Sequence, residues 1–290
     1  MPDLKDLQLQ KESLSTIGDF FSAYQKLTIY QMQKNRSATV NSRPFSQGLI
    51  DTFIEVKQSI RKLFEKENKE HISFSTLEKN GKSVAVFLSF ETKFSTDLIR
   101  KSFQHFAKTV RSNRANVSII LTGSVAKRLF SEYFPNDTEY EYYDMTEKNA
   151  HIANNIELLR RILQFERVEV YYPYFVSIMH QEPQSDTISG DIPLGDTLLQ
   201  AEKEKHRYFF EPDKKQILRF FEIQILGSIL QQKIREAQLA TLGARITTLQ
   251  YTQQNIDTEM SKIRAKTLKT LRKKESKKQR NRLAGMNFWR

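Results

Sequence analysis

The 290-residue sequence contains no cysteine and has only nine glycines and seven prolines. The absence of cysteine excludes disulfides, thiolate zinc sites and cysteine nucleophiles, and it suits a reducing compartment. No stretch approaches the ~18 uninterrupted apolar residues that a membrane-spanning helix requires, and the first ten residues lack the apolar core of a signal peptide. We therefore expect no transmembrane segment.

Two long intervals contain no proline, Asp3–Arg43 and Asp213–Arg290. Proline removes a backbone donor and clashes with the preceding turn, so we expect long helices to lie only between prolines. The other prolines fall in the middle of the chain. The sequence therefore predicts a long helix at each end and a different kind of domain between them.

Both proline-free intervals carry an apolar stripe whose members recur three and four residues apart, which approximates a seven-residue repeat. The first stripe comprises Leu4, Leu7, Leu14, Ile17, Phe21, Tyr24 and Thr28. The second comprises Ile217, Phe220, Phe221, Ile225, Ile229, Ala237, Ala240, Ala244, Ile246, Leu249, Ile256, Met260, Ile263 and Leu271. A helix of ~70 residues extends on the order of 100 Å, so its stripe must be buried against another helix or a partner. We expect the two helices to pair antiparallel, with the small residues Ala237, Ala240, Gly243 and Ala244 allowing close approach.

The middle of the chain alternates between short β-rich apolar runs and helical stretches. The predicted strands are Ser83–Phe90, Asn116–Thr122 and Val168–Tyr172, and the predicted helices are Thr96–Arg111, Ser124–Tyr133 and Asn149–Phe165. This alternation predicts a mainly parallel, Rossmann-like sheet with crossover helices. The predicted fold is thus α/β with an antiparallel coiled coil of the terminal helices. Its parts are a helix over 1–68, an α/β domain over 69–207 and a helix with a basic tail over 208–290.

The sequence offers no motif for catalysis, for a cofactor or for a metal. It contains no GxxxxGK[ST], GxGxxG, HExxH or GxSxG pattern, and its five histidines are scattered. Gly123 follows the second predicted strand, where a turn requirement explains it better than ligand binding does. The acidic stretch Asp137–Glu141 is typical of a solvated loop. We expect no catalytic residues, no cofactor-binding residues and no metal ligands.

The formal net charge of +12 is concentrated at one end of the chain. Residues 262–290 contain twelve basic residues and one acid, Glu275, a net charge of +11. Such a tail favours an acidic partner that meets the C-terminal end. Binding of nucleic acid is one interpretation and a solvated helix end is another. Aromatic side chains for base stacking are missing inside the basic stretch, so we do not expect nucleic acid.

Four segments, in order, resemble the gamma subunit of F-type ATP synthases, a central rotor stalk. Met1–Leu27 is similar to the family's opening helix, with Ala23 and Leu27 matching its K-I-T-x-A-M-x-x-V stretch. Tyr171–Pro183 resembles its Y-x-x-F-x-x-x-x-x-Q-x-P signature through Tyr172 or Tyr171, Phe175, Gln181 and Pro183. Tyr208–Asp213 resembles a Y-x-F-E-P entry into the last helix. Ala244–Asn255 resembles A-R-M-x-A-M-x-x-A-T-x-N and keeps Ala244, Arg245 and Asn255.

Two parts of the family pattern are replaced. The loop S-D-R-G-L-C-G-G is here Ser89–Ser95, which keeps only the leading serine. The C-terminal N-x-x-R-Q-x-x-I-T-x-E is missing, and the basic stretch Lys266–Arg282 stands in its place. The chain is therefore either a divergent gamma subunit or a paralogue that scaffolds a hexamer without energy coupling.

The resemblance implies a non-catalytic subunit that couples proton or sodium flow to ATP synthesis. The implied partners are the alpha and beta subunits of the hexamer, the epsilon subunit and the membrane c-ring, at the cytoplasmic face of a bacterial cell membrane. The implied coiled-coil and hexamer contacts are Ile17, Phe21, Ala23, Tyr24, Leu27, Ala244, Arg245, Leu249 and Asn255. The expected basic contact surface comprises Lys266, Lys269, Arg272, Lys273 and Lys274.

Two rival hypotheses belong to other functional classes. A nucleic-acid-binding protein would act through its basic tail and lose affinity steeply with salt. An enzyme hidden in the α/β domain would bind its ligand in the crevice beyond the strand ends, near Gly123.

Overall fold

The structure is a computed structural model that describes residues 4–66, 80–90, 93–188 and 214–287. In the order of the sequence, a region of alternating strands and shorter helices lies between two very long helices. The elements within these residues are α1 (Leu4–Lys66), β1 (Ser83–Phe87), α2 (Thr96–Asn113), β2 (Val117–Thr122), α3 (Ser124–Tyr133), β3 (Glu141–Tyr143), α4 (Ile156–Ile162), β4 (Arg167–Phe175), β5 (Gln181–Thr187) and α5 (Lys214–Asn287). None of the helices described is long and apolar enough to cross a membrane.

The strands form a single sheet in the order β3-β2-β1-β4-β5. The first four strands are parallel, with Val84 of β1 aligned with Ser118 of β2 and Val168 of β4. The fifth strand is antiparallel to β4 and lies at the edge. This confirms the predicted mainly parallel sheet with crossover helices.

Both faces of the sheet are covered, which explains why its central strand is apolar throughout. On one face Ala85 and Phe87 pack with Phe103 of α2 and Leu129 of α3. On the other face Val84 and Val86 pack with buried residues of α4 and α5, among them Leu158, Leu226 and Ile234. Alternate residues of β1 therefore serve two separate clusters, because successive side chains of a strand point to opposite faces.

Two elements were missed by the apolar patterns. The short strand β3 begins inside the acidic stretch that was expected to be a solvated loop, and β5 is a polar sequence interrupted by Pro183. Polar residues and a proline are tolerated in β5 because it is an edge strand with one side unpaired. The prediction that a helix fills 149–165 was too long, since α4 covers only Ile156–Ile162.

The first helix also extends further than the proline rule predicted. It continues through Pro44 to Lys66, so the expectation that a long helix must end before Pro44 was wrong. A proline inside a helix costs one backbone hydrogen bond but does not always end the helix. The predicted domain boundaries at 68/69 and 207/208 lie outside the described residues.

The chain divides into two compact units that do not coincide with whole helices. One unit comprises Met1–Tyr30 with Arg245–Arg290, and the other comprises Gln31–Ala244. The second unit contains the sheet and the adjoining parts of the long helices. Within it the Arg235 guanidinium of α5 donates a hydrogen bond of 2.7 Å to the Ala38 carbonyl of α1. We call Gln31–Ala244 the sheet unit.

Candidate functional site

The other unit is a pair of helices, Leu4–Tyr30 of α1 and Arg245–Asn287 of α5, which we call the helical pair. Gly18 lies against Ile256, since a Cβ built on the glycine would be 3.4 Å from Ile256 Cγ2. Arg245 Cζ lies 5.7 Å from the centre of the Tyr24 ring. The earlier residue of α1 meets the later residue of α5, so the two helices run antiparallel, as the sequence predicted.

The contact between these helices follows a seven-residue repeat. On α1, residues with reduced exposure are Leu4, Leu7, Leu14, Gly18, Phe21, Ser22, Tyr24, Gln25 and Thr28. On α5, from Leu249 onward, they are Leu249, Thr252, Gln253, Ile256, Met260, Ile263, Thr267 and Thr270. Spacings that are mainly three and four keep these residues on one side of each helix, the arrangement of a coiled coil. We call these two rows the seam.

The expected contact residues fall into two groups. Arg245 and Leu249 are 2% and 0% exposed, and Phe21, Tyr24 and Ala244 are half-buried. Ile17 and Leu27 are 45% and 50% exposed, and Ala23 and Asn255 are also exposed. The first group therefore packs within the chain, whereas the second presents its side chains outward.

The seam differs from the apolar stripe at one place. The stripe put Ile17 on the buried side, but Ile17 is exposed and Gly18 is buried in the corresponding position of the repeat. Apolarity concealed this position, because glycine has no side chain, and the three-four spacing fits either residue.

All five residues of the expected basic contact surface are exposed. They are Lys266, Lys269, Arg272, Lys273 and Lys274. Beyond the seam, every residue from Leu271 to Leu283 is exposed. We call Leu271–Leu283 the cationic end of α5.

Residues of the Tyr171–Pro183 signature meet α5 inside the sheet unit. Phe175 and Gln181 pair across the β4–β5 hairpin, and both approach Gly243. Gln181 Nε2 donates hydrogen bonds of 2.8 Å to the Ser177 carbonyl and 2.7 Å to the Ile178 carbonyl. A Cβ at Gly243 would come within 2.9 Å of that nitrogen and 3.3 Å of Phe175 Cε2.

These contacts give two of the small residues of α5 a role in packing against the sheet. Gly243 provides room for the hairpin of the sheet, and Ala237 belongs to the core cluster beneath the sheet. The expected role of these residues in the approach of the other long helix stays a prediction.

A polar cluster joins the sheet edge to α5 close to the same hairpin. Tyr172 donates a hydrogen bond of 2.6 Å from its hydroxyl to Asp186 Oδ2, and Lys233 forms an ion pair with that oxygen. Lys233 Nζ also lies 3.1 Å from the Tyr172 hydroxyl. Tyr172 was named from the sequence, but neither Asp186 nor Lys233 was. These two residues are 47 positions apart, and no motif connects them.

The environment of this cluster sets its charge states. Burial raises the pKa of Asp186, but the hydrogen bonds from Lys233 and Tyr172 outweigh it and hold that pKa below its ordinary value. Burial, with the hydrogen bond to Asp186, raises the pKa of Tyr172. At neutral pH the Tyr172 hydroxyl is therefore protonated and Asp186 is ionised. The hydrogen bond and the ion pair of Asp186 join β4, β5 and α5.

The strand ends near Gly123 are closed by the backbone. Gly123 has φ of +76°, and a Cβ there would lie 2.7 Å from the Ser89 carbonyl oxygen. Ser89 Oγ donates to the Thr122 carbonyl at 2.6 Å, and both side chains are buried. The Gly123 N–H donates a hydrogen bond of 3.1 Å to the Tyr143 carbonyl. The turn and this close approach explain the glycine without a ligand, as expected from the sequence.

The acidic stretch Asp137–Glu141 is held by arginines, contrary to the expectation of a solvated loop. Asp137 forms an ion pair with Arg114, whose hydrogen bond lowers the pKa of that carboxyl. Glu141 accepts from Arg161 at 2.5 Å. Among the residues that the structure describes, no group of three or more His, Asp or Glu side chains has a metal-binding arrangement.

Comparison with known proteins agrees with this geometry. The sequence profile of the ATP synthase family matches residues 3–274. The ATP synthase gamma chain of Halothermothrix orenii is 22% identical over 255 residues, which are 86% of each chain. The gamma chain of Elusimicrobium minutum is 21% identical and covers 91% of this chain and 93% of its own length.

Solved structures share the fold at lower identity. A chain of the Euglena gracilis mitochondrial ATP synthase, in the OSCP/F1/c-ring structure, matches with a TM-score of 0.63 and 12% identity over 98% of this chain and 93% of that one. A chain of the central stalk and c-ring of the Tetrahymena thermophila mitochondrial ATP synthase matches with a TM-score of 0.58 and 12% identity, over 80% of this chain and 99% of that one. The chain belongs to the family of gamma subunits that form the central stalk of F-type ATP synthases.

Proposed function

We propose that this central stalk subunit is a rotor shaft that couples ion-driven rotation to conformational change in an alpha/beta hexamer. The observation that carries the proposal is the helical pair, in which α1 and α5 run antiparallel along a seven-residue repeat. A shaft must transmit torque without bending, and a helix packed along its length on a second helix is stiffer than a single helix.

Rotation has an effect only if the shaft differs from side to side. Outside the seam, α1 exposes apolar groups such as Ile17, Phe20 and Leu27. The exposed side of α5 carries many lysines and arginines beside Tyr251 and Leu268. Turning such a pair inside a ring of equivalent subunits presents a different surface to each subunit. Each site is thereby shifted toward a different member of its conformational ensemble.

We assign the expected contact residues accordingly. Phe21, Tyr24, Ala244, Arg245 and Leu249 pack inside the chain, and we assign them to holding α1 and α5 in place. Ile17, Ala23, Leu27 and Asn255 are exposed, and we assign them to the surface that touches the hexamer. The basic contact surface, Lys266, Lys269, Arg272, Lys273 and Lys274, belongs to the same outward surface.

The remaining partners follow from the family resemblance. We propose that the α/β domain end binds the epsilon subunit and the membrane c-ring, which places the chain peripherally on the cytoplasmic face of a bacterial cell membrane. The chain itself would contribute no catalytic group and bind no cofactor. The coupling ion is a proton or sodium.

The test is co-purification of the tagged full-length chain from its native source. We expect alpha and beta subunits to be recovered with it in a defined complex. Recovery of nucleic acid in their place would contradict the proposal and favour the nucleic-acid hypothesis. A double variant, Ile17→Asp with Leu27→Asp, should lower recovery of the hexamer while leaving the unfolding transition unchanged, because both side chains are exposed.

Coupling is tested separately from assembly. ATP hydrolysis by the purified complex should rotate a bead attached to the sheet unit, for example at Lys148, an exposed residue. A complex that hydrolyses ATP without rotation of the bead would favour the paralogue that scaffolds a hexamer without energy coupling. In that outcome the chain would remain a hexamer subunit but not a rotor.

A further inference from the structure

Inside the sheet unit, α5 packs on the sheet through an apolar stripe. The stripe includes Leu226, Leu230, Ile234 and Ala237, which belong to the core cluster beneath β1 and β4. Burial of apolar surface is favourable in proportion to its area and has no preferred direction. The stripe therefore holds α5 against the sheet, but it opposes turning of the helix about its own axis less than directional contacts would.

On one side of the stripe, α5 binds the backbone of the segment between β3 and α4. Gln231 Oε1 accepts a hydrogen bond of 2.6 Å from the Ile152 N–H. Gln238 Nε2 donates one of 3.2 Å to the Glu147 carbonyl, and Gln238 is buried. We call these two glutamines, with the backbone groups that they bind, the loop anchor.

The segment that receives the loop anchor is held by hydrogen bonds of its own. Asn155 is buried, and its Nδ2 donates at 2.8 Å to the Asn149 carbonyl and at 2.9 Å to the His151 carbonyl. Asn149 Oδ1 in turn accepts from the Thr146 N–H at 2.7 Å. A segment that is fixed at several points can transmit a force from α5 to the rest of the sheet unit.

On the other side of the stripe, α5 binds the edge of the sheet through Lys233. Its ammonium group forms an ion pair with Asp186 of β5 and lies 3.1 Å from the Tyr172 hydroxyl of β4. Because β5 pairs antiparallel with β4, this contact joins α5 to two strands at once. We call Lys233, Asp186 and Tyr172 the edge anchor.

The two anchors lie on opposite sides of α5. At 100° per residue, Lys233 is about 160° around the helix from Gln231 and about 140° from Gln238. All four residues of the apolar stripe fall within the arc between Lys233 and Gln231. A contact on one side of a rod leaves the rod able to turn about that contact, whereas contacts on both sides form a couple that opposes turning in either direction.

Hydrogen bonds suit this task because they weaken steeply away from a straight donor geometry, even though each adds only modestly to stability. We propose that the loop anchor and the edge anchor together prevent α5 from turning about its own axis within the sheet unit, so that torque passes between the helix and the sheet. The inference rests on the proposed function and adds to it the residues through which torque leaves the shaft. Gln231, Gln238 and Lys233 are thus positioning residues.

The experiment measures the torsional stiffness of the stalk in the assembled complex. The hexamer is fixed to a surface, and a bead is attached to the sheet unit through Lys108→Cys, an exposed position in a chain without other cysteines. The variance of the bead angle is recorded during the pauses between steps of ATP hydrolysis. This variance is inversely proportional to the torsional stiffness.

Three variants remove the anchors separately and together. The loop-anchor variant carries Gln231→Met and Gln238→Met, and the edge-anchor variant carries Lys233→Met and Asp186→Asn, so that side-chain size is nearly kept. The variance should rise by roughly twofold or more in the combined variant and by less in each of the others, because directional contacts are lost. The rate of ATP hydrolysis should stay unchanged, since the proposed function places no catalytic group on this chain.

Two matched controls separate torsion from stability. Gln104→Met makes the same substitution where a glutamine joins α2 to α3, through a hydrogen bond of 3.0 Å to the Tyr133 hydroxyl. Val110→Ala removes buried atoms of α2 on the opposite face of the sheet and lowers the free energy of unfolding without touching α5. Neither should raise the variance. A rise equal to that of the combined variant would overturn the proposal, because general loosening would then explain it.

Each remaining outcome decides between the proposals. If the wild-type complex rotates and the combined variant shows the same variance, the anchors are wrong and the proposed function stands. If one anchor's removal raises the variance as much as removal of both, contacts on opposite sides are not required and the proposal is wrong. If the combined variant does not assemble, the two single-anchor variants provide the test. If the wild-type chain forms no rotating complex, both proposals fail together.

Discussion

The sheet unit and the helical pair bury the same helix in two different ways. From Ile225 to Leu242, α5 is covered on several sides, and most of its residues are buried or half-buried. From Leu249 to Thr270 it is covered along one side only, at positions that mostly recur every three or four residues. Multi-sided burial makes the shape of nearly every side chain matter, whereas a seam constrains only its own positions.

The polar contacts differ in the same way. In the sheet unit, the Tyr172–Asp186–Lys233 cluster and the Gln181 hydrogen bonds join separate elements. In the helical pair, the hydrogen bond that Thr267 Oγ1 donates to the Ile263 carbonyl lies within a single helix. Polar contacts between separate elements thus help to hold the sheet unit, whereas packing along the seam, with the contact of Arg245 on the Tyr24 ring, holds the helical pair. The following changes test that contrast.

The largest effect is expected in the sheet unit, from Gly123→Ala. The new methyl group would overlap the Ser89 carbonyl oxygen in a left-handed backbone, so we expect the free energy of unfolding to fall by about 3 kcal/mol or more in urea titration. Gly81→Ala is the control, because Gly81 has φ of +67° and a Cβ there would meet nothing nearer than Glu166 Oε2 at 4.0 Å. It should cost only about 1 kcal/mol. Equal losses would contradict the steric explanation.

The seam of the helical pair is tested by Leu249→Ala. This side chain is fully buried, so its removal should cost about 2–4 kcal/mol, measured as the loss of free energy of unfolding by circular dichroism. Leu268→Ala removes the same atoms from an exposed position of the same helix and should change stability by less than about 0.5 kcal/mol. Similar losses of stability at both sites would mean that burial in the seam does not determine the cost of removing a leucine side chain.

Two glycines of the long helices should respond in opposite directions to one substitution. Gly243→Ala would displace the Gln181 amide from its hydrogen bonds to the hairpin and crowd Phe175. After the gain in helix propensity is subtracted, we expect a net loss of up to about 1 kcal/mol. Gly18→Ala places its methyl at ordinary contact distance from Ile256 and improves helix propensity, so it should add about 0.5–1 kcal/mol. A loss at Gly18 similar to that at Gly243 would contradict the contrast between the units.

A further small effect concerns the dependence of stability on pH. The pKa of Asp186 is lower in the folded chain than in the unfolded chain, so its stabilisation is present above pH ~4 and is lost as the pH falls further. Asp186→Asn should lower stability at pH 7 by about 1 kcal/mol, and the difference from the wild type should shrink toward pH 3. Lys233→Met should weaken the same acid dependence. A difference that stays constant between pH 7 and pH 3 would refute this assignment.

Several features of the candidate site were accessible from the sequence because they depend on local periodicity. The two long helices, their antiparallel pairing and the burial of Leu249 follow from apolar residues at helical spacing. The central strands β1 and β2 follow from short β-rich runs that are buried on both faces. The cationic end of α5 is visible as a run of lysines and arginines.

Other features depend on contacts between residues far apart in sequence. Gly18 occupies the seam because Ile256 lies opposite it, and Gly243 is small because Gln181 and Phe175 approach it. The edge strand β5 is polar and forms because β4 offers it a hydrogen-bonding partner. No local pattern carries this information, since it resides in the partner and not in the residue.

The amino-acid sequence by itself determined the two terminal helices, the parallel character of the sheet and the place where the positive charge collects, since each is written in the spacing or the sign of neighbouring side chains. Only the tertiary structure decided which residues form the seam, that Tyr172, Asp186 and Lys233 meet, and that Gly123 lies against the Ser89 carbonyl. The physical reason is that packing and hydrogen bonding act across space, and the chain order does not record which surfaces come together.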